Sequence, residues 1–194
     1  FVTGVQTCAL PISSVGEVVL KRQHAYRGIS IEVLNKTVRL PDDRVAHRDV
    51  VTYPGGAVCV VAVTNDERVV LVRQFRPAPE MTMLEIPAGR RSVHEHLLTA
   101  ARRELSEETG YVAASWKKCA TFWPSPGFVD ERLTLFLAKD LTLGRTDMDA
   151  DEFITTRLVP VSQALRLCQN GRITDAKTLV GLLWYAQFER QNGQ

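Results

Sequence analysis

The stretch from 87 to 112, PAGRRSVHEHLLTAARRELSEETGYV, constrains this chain more than any other. Leu97, Leu98, Ala100, Ala101 and Leu105 recur at helical spacing, which predicts an amphipathic helix from about 93 to 109. Gly110, a residue able to adopt the left-handed conformation, ends it. On that helix Glu104 and Glu108 stand four apart on one face, with Glu107 beside them. Like charges at this spacing weaken a helix slightly. In a partly desolvated site, two carboxylates about 4 Å apart repel by up to about 4 kcal/mol. Such a face is either solvated or holds something positive.

Arg103 and Glu107 are also four apart and can pair, which fixes one carboxylate and leaves the other two for a ligand. Oxygen donors without Cys or His suit a hard cation, Mg²⁺ or Mn²⁺. A helix face rich in Glu and Arg is ordinarily just solvated. The wider spacing argues against that here. Gly89, five residues, Glu95, seven residues and then Arg103-Glu104-Leu105-Ser106-Glu107-Glu108-Thr109-Gly110-Tyr111 match G-x5-E-x7-R-E-U-x-E-E-x-G-U, with U a bulky apolar residue. With all residues equally common, the fixed positions would recur by chance on the order of once in a billion starts. That pattern is the Nudix box, and the chain resembles the Nudix hydrolases.

Composition is compatible with such a domain. The 194 residues, 45% hydrophobic, suit one core or a core with a small appendage. A net charge of +2, with no basic run and no aromatic-basic interleaving, argues against a nucleic-acid partner. Cys8, Cys59, Cys119 and Cys168 lack zinc spacing and read as free thiols of a reducing, cytoplasmic compartment. No apolar stretch approaches membrane length, so no membrane partner is expected.

The opening FVTGVQTCALPI lacks the charged start and cleavage pattern of a signal peptide. From Val2 onward it resembles the translation of a common sequencing-adapter oligonucleotide, so residues 1–12 are set aside and the native start is expected to be missing. Residues 13–50 read as a small antiparallel β unit, with alternating runs at 15–21, 29–40 and 48–53. Residues 51–194 read as the main domain. In it, two β-branched runs flank Asn65-Asp66-Glu67, which predicts a hairpin. Strands are expected at 83–86, 118–122, 133–138 and 153–160, and helices at 162–169 and from Thr174 or Asp175 to Glu189. The fold class is α/β: an α/β/α sandwich with a mixed sheet, as the Nudix resemblance also implies.

Four further segments narrow the resemblance: VRQFR (72–76), LEIPAG (84–89), PSPGFVDE (124–131) and GRITDAKTLVGLL (171–183). Together with the β unit they are similar to the bacterial ADP-ribose pyrophosphatase branch. The resemblance implies Mg²⁺-dependent splitting of ADP-ribose, a small-molecule nucleotide, into AMP and ribose 5-phosphate. It also implies a homodimer in which each β unit adds to the partner's adenine pocket. One alternative is a pyrophosphatase for GDP-mannose or another nucleotide sugar. Another is a non-catalytic ADP-ribose-sensing domain, against which the complete metal face argues.

Roles follow residue by residue. Glu104 and Glu108 are candidate metal ligands, with the carbonyl of Ala88 at the entering loop. Glu107 is either a further ligand or the partner of Arg103. Glu95, about two and a half turns before Glu104, reads as an orienter. Arg73 and Arg76 follow a strand and can fork onto phosphate or ribose oxygens, against the ordinary reading of a surface ion pair. Glu85 is a candidate for ribose hydroxyls or for a metal-bound water. Phe128 and Phe122 are candidates for stacking on adenine, against the ordinary reading of core aromatics. The resemblance further implies a catalytic glutamate in the polar loop KDLTLGRTDMDADEF, which maps onto Glu152, with Asp151 and Asp149 as rivals. Arg90-Arg91 and His94 occupy variable positions of the box and carry little weight.

Overall fold

The computed structural model describes residues 16–29, 31–144 and 153–190. The expectations for residues 1–12 (Cys8 among them) and for Asp149, Asp151 and Glu152 lie outside the described residues. The chain divides into two units between Thr52 and Tyr53.

The first unit is an antiparallel meander of β1 (Val18–Arg27), β2 (Glu32–Arg39) and β3 (Val45–Thr52). Between β2 and β3, Leu40 N–H donates to the Arg44 carbonyl at 2.8 Å and Asp43 takes a left-handed φ of 64°. Aspartate tolerates that conformation better than most residues. Across the ladders Arg27 Nε meets Glu32 Oε1 at 2.8 Å, and Asn35 bonds Asp49. Every residue of β1 is exposed, including Val18, Leu20 and Tyr26.

In the second unit the chain runs β4 (Ala57–Ala62), β5 (Arg68–Arg76), β6 (Met81–Glu85), β7 (Ala88–Arg90), α1 (Leu97–Thr109), β8 (Tyr111–Phe122), β9 (Leu133–Leu143), β10 (Thr155–Pro160), α2 (Val161–Gln169) and α3 (Ala176–Phe188). Two sheets form, ordered β7-β4-β9-β8 and β10-β5-β6. The first is mixed, because β4 and β9 run parallel from Ala57↔Leu133 to Ala62↔Ala138 while the outer pairs are antiparallel.

Strand β4 is buried on both faces, which explains why AVCVVA is apolar throughout and does not alternate. Val58, Val60 and Ala62 pack with Ala100, Ala101 and Leu105 of α1. Cys59 and Val61 pack with Ile173, Leu182 and Tyr185 on the other side. Helices on both faces of the strands make the α/β/α sandwich.

Three local expectations change. Asn65-Asp66-Glu67 does turn the chain, with Glu67 N–H on the Thr64 carbonyl at 3.1 Å and Glu67 at φ 58°. However, β4 and β5 share one isolated bridge, Val63↔Val69, and then part into different sheets. A hairpin pairs its strands along their length; here each apolar run is buried among different neighbours. The turn is clasped from the far end of the chain, where Tyr185 donates its hydroxyl to Glu67 Oε1 at 2.7 Å. Second, α1 begins at Leu97 and not near Val93, because His96 caps it by accepting from Leu98 N–H at 3.3 Å. Residues 92–95 form a separate turn, held by Glu95 N–H on the Ser92 carbonyl at 3.0 Å. Third, the glycine loop before the helix is the short strand β7, paired Val58↔Gly89 with β4. Strands β8 and β9 also run longer than the apolar signal alone indicated.

Helix α3 is tied to the end of β6 by one buried side chain. Thr178 Oγ1 accepts from Ile86 N–H at 2.9 Å and donates to Asp175 Oδ2 at 2.6 Å, while Asp175 caps the helix by accepting from Thr178 N–H. Thr178→Val keeps the shape and strands the Ile86 N–H. It should cost about 1–3 kcal/mol in urea unfolding with a native-like circular dichroism spectrum.

Candidate active site

Strand β7 and helix α1 meet where Gly89 lies against the Glu104 carboxylate. A Cβ on Gly89 would overlap the Glu104 carboxylate, so any larger residue there would push that carboxylate out of its position. Ala88 N–H donates to Glu108 Oε2 at 3.1 Å. Glu104 and Glu108 are both buried, 8% and 4% exposed, in a helix whose neighbouring stripe is apolar. Gly110 closes the helix with φ 74°, its N–H on the Ser106 carbonyl at 2.9 Å.

Buried carboxylates need a cation, and Arg103 supplies one to Glu104. Its guanidinium reaches Glu95 Oε1 at 3.1 Å, Glu107 Oε2 at 2.8 Å, Glu104 Oε1 at 2.8 Å and the Arg90 carbonyl at 2.9 Å. The hydrogen bond to Glu95 is the main reason Arg103 is held above its ordinary range, with Glu107 and Glu104 adding to it against burial. The same bond holds Glu95 below its ordinary value, assisted by Ser92 N–H. Glu107 pairs with Arg103, four residues before it on the helix. Arg103 also pairs with Glu104, so the helix-face carboxylates are not separated into one paired and two unpaired groups.

A second network faces the same space. Glu85, at the end of β6, is 1% exposed. Arg76 forks onto it, Nε to Oε1 at 2.8 Å and Nη2 to Oε2 at 2.6 Å, and Lys177 of α3 bonds Oε2 as well. Lys177 also pairs with Asp175 at 3.0 Å. Burial alone would raise Glu85, but Arg76 and Lys177 outweigh it and hold the carboxyl below its usual value. A lowered carboxylate contributes stability above its unfolded pKa and loses it as pH falls through the folded value.

Between the two networks lies a cavity of about 610 Å³, lined by Arg76, Ala88, Gly89, Arg103, Glu104 and Glu107 together with Tyr53, Arg90, Glu131 and Lys177. Tyr53 and Arg90 stack, guanidinium carbon 4.2 Å from the ring centre, and burial raises the Tyr53 hydroxyl above its ordinary value. Burial likewise raises Glu131, against Lys177 and Arg90. Arg73 is exposed and does not line the cavity. Phe128 is exposed on the turn at 125–129, also outside the cavity lining. Phe122 packs against the core beside Cys119, the ordinary reading of an aromatic near a strand end. Cys59 is buried, Cys119 and Cys168 are half-buried, and all three are free.

The sequence missed Lys177, Tyr53 and Glu131. Lys177 carried a signal: a lysine beside a helix N-cap opposes the helix dipole. Glu131 lies in the PSPGFVDE segment already singled out, while Tyr53 carried no signal, because only the pairing of β4 with β7 and β9 brings its loop to the cavity.

The box spacing, the Gly89–Glu104 contact and the mixed sheet have one common explanation, which comparison with known proteins supplies. The chain belongs to the Nudix family, whose NUDIX domain model matches residues 54–180. It is 37% identical over 169 residues to an ADP-ribose pyrophosphatase of Bacillus subtilis (strain 168), covering 86% of this chain and 91% of that protein. It is 34% identical over 168 residues to a methanol dehydrogenase activator of Bacillus methanolicus, covering 86% and 90%. A crystal structure of an ADP compounds hydrolase shares the fold, with a TM-score of 0.80 at 18% identity over 91% of this chain and 96% of that one.

Gly89→Ala should cost about 1–3 kcal/mol in urea unfolding by overpacking against Glu104. Gly127→Ala, where a Cβ meets nothing within 4 Å, should stay within about 0.5 kcal/mol of the parent.

Proposed function

We propose that this Nudix pyrophosphohydrolase cleaves the diphosphate of ADP-ribose to AMP and ribose 5-phosphate, with Mg²⁺ or Mn²⁺ held by Glu104, Glu108 and the Ala88 carbonyl. The observation that carries the reading is that one cavity brings Glu104 and Glu107 of α1 together with Arg76 and Lys177. A diphosphate bridged to carboxylates by a cation fits that arrangement. The likeness to the Bacillus subtilis ADP-ribose pyrophosphatase supports the choice of nucleotide.

The donors fit a hard cation. The box wall offers carboxylate and carbonyl oxygens, and the lining contains no Cys or His. Among the described residues no group of three His, Cys, Asp or Glu side chains is placed to hold a metal ion by itself. Mg²⁺ is usually bound through one or two carboxylates and takes its remaining oxygens from water and substrate phosphates. When bound, the cation neutralises phosphate charge and acidifies water.

The chain's own groups divide the remaining work. Arg103 fixes Glu104 and Glu107 in place, and Glu95 fixes Arg103. Arg76, anchored by Glu85, presents a cation to phosphate or ribose oxygens. Glu152 takes a proton from the water whose oxygen bonds to phosphorus while the bridging P–O bond breaks; the family resemblance supports that assignment. Free thiols support a reducing, cytoplasmic setting, and no helix of the described residues is long and apolar enough to cross a membrane. The exposed apolar residues of β1 support a homodimer, for which light scattering should give twice the chain mass.

With Mg²⁺ and a panel of nucleoside diphosphate compounds, kcat/KM should favour ADP-ribose over GDP-mannose and over nucleoside triphosphates. A preference for GDP-mannose would move the assignment to that nucleotide sugar. Glu104→Gln and Glu108→Gln should each lower kcat by about two decades or more with the fold retained. Glu152→Gln should bind ADP-ribose nearly normally and lose about two decades or more of kcat; the same loss in Asp151→Asn alone would shift the base by one residue.

A further inference from the structure

We propose that a second cavity, which shares Tyr53 with the first, is a binding site for a nucleoside monophosphate. It encloses about 320 Å³ and is lined by Arg91, Trp123, Asp130 and Arg132 together with the turn at 53–56. The site does not depend on the reaction proposed above, because neither the box carboxylates nor Arg76 lines it.

Two chain segments divide their side chains between the cavities. Arg90 and Glu131 line the first, whereas Arg91, Asp130 and Arg132 line the second. Successive residues of an extended chain face opposite ways. Both segments continue the pairing of β4: Arg91 N–H donates to the Gly56 carbonyl at 3.1 Å, and Ala57 N–H donates to the Arg132 carbonyl at 3.0 Å. The turn between them requires glycine. A Cβ on Gly55, at φ 89°, would meet the Arg91 carbonyl oxygen at 2.5 Å, and one on Gly56, at φ 68°, would meet that of Arg132 at 2.7 Å. The backbone around the second cavity is therefore set before anything binds.

Its side chains offer an anion site beside an aromatic face. Arg91 is held by its own loop, Nε donating to the Gly55 carbonyl at 2.8 Å and Nη1 to the Glu95 carbonyl at 3.0 Å. Those bonds leave the N–H groups of Nη2 for a ligand. Arg132 is exposed and, among the described residues, no carboxylate pairs with its guanidinium. Asp130 is engaged with Tyr53 instead, its Oδ1 accepting the Tyr53 N–H at 2.7 Å. Two guanidiniums against one carboxylate leave the lining positive, which suits a phosphate monoester. The Asp130 carboxylate repels phosphate and suits a ribose hydroxyl, which donates. Trp123 is 54% exposed. By contrast, Trp116 donates its indole N–H to the Ala113 carbonyl at 2.9 Å, and Trp184 packs on Phe188. An indole left to solvent in a cavity with two guanidiniums offers a stacking face to a base. A bare phosphate would leave that face and much of the volume unused.

The test titrates AMP into the protein with a metal chelator present, read by tryptophan fluorescence and by calorimetry. No tryptophan lines the first cavity, so quenching reports the second. AMP should quench the emission saturably, and adenosine or inorganic phosphate alone should bind at least about tenfold more weakly. Arg132→Met should weaken AMP roughly 10-fold or more. Trp123→Leu should lose the quench and one bound AMP per chain, whereas Trp123→Phe, which keeps a ring, should retain that AMP. Both side chains are exposed, so circular dichroism should show the fold unchanged. Arg132→Met should also keep the KM for ADP-ribose within about threefold. A KM raised in step with the loss of AMP affinity would make the cavity part of the substrate site and overturn the proposal. Phosphate binding as tightly as AMP, or AMP binding unchanged in Arg132→Met or Trp123→Leu, would overturn it too. So would the absence of saturable quenching up to millimolar AMP. If the parent ignores ADP-ribose but the AMP results hold, the reaction proposed above fails and this site stands.

Discussion

Strand β4 is the constraint from which the rest of the second unit follows. Buried on both faces, it has no solvent side, so one set of its side chains must meet α1 and the other α3. Its backbone edges are committed as well, to β9 on one side and β7 on the other. Pairing with β7 carries Ala88 and Gly89 across the end of the sheet to the acidic face of α1. The site is thus assembled by sheet pairing, and the helix only has to present its carboxylates at the right height.

Electrostatics then divides those carboxylates into two managed groups. Arg103 gathers Glu95, Glu104 and Glu107 around one guanidinium, a geometry its planar fork suits. Arg76 and Lys177 do the same for Glu85 from two different elements. Each buried acid has a cationic or N–H partner, which is the condition for keeping ionised groups at low exposure. The cavity lies where the two networks face each other.

How much of this could be read from the chain depended on how local the signal was. The box helix, its glycine stop, the cap at Asp175 and the mixed α/β architecture rest on short-range patterns, and all four are present. The end of β4 misled, because two β-branched runs around a turn look the same whether the strands pair or diverge into separate sheets. The start of α1 misled because His96, an uncommon cap, stops the helix short of a sequence that would tolerate it. On the box helix, the pairing of Arg103 with Glu107 and the shared face of Glu104 and Glu108 were legible from spacing. Lys177 lies 92 residues from Glu85 in sequence, and no periodicity encodes such a meeting.

The clasp between Tyr185 and Glu67 spans 118 residues, and it bears on the order of events during synthesis. The face of β4 that carries Cys59 and Val61 lacks part of its cover, Leu182 and Tyr185, until α3 has been made, although β4 itself leaves the ribosome much earlier. Contacts of such long sequence separation slow folding, because the intervening chain must be ordered first. Over that interval an apolar strand waits with one face partly open, and β5, β6 and β9 are made before its cover is complete. The last helix therefore acts as a latch: the growing chain can collect its strands in order, but it closes only when Tyr185 returns to the turn laid down at the start of the domain.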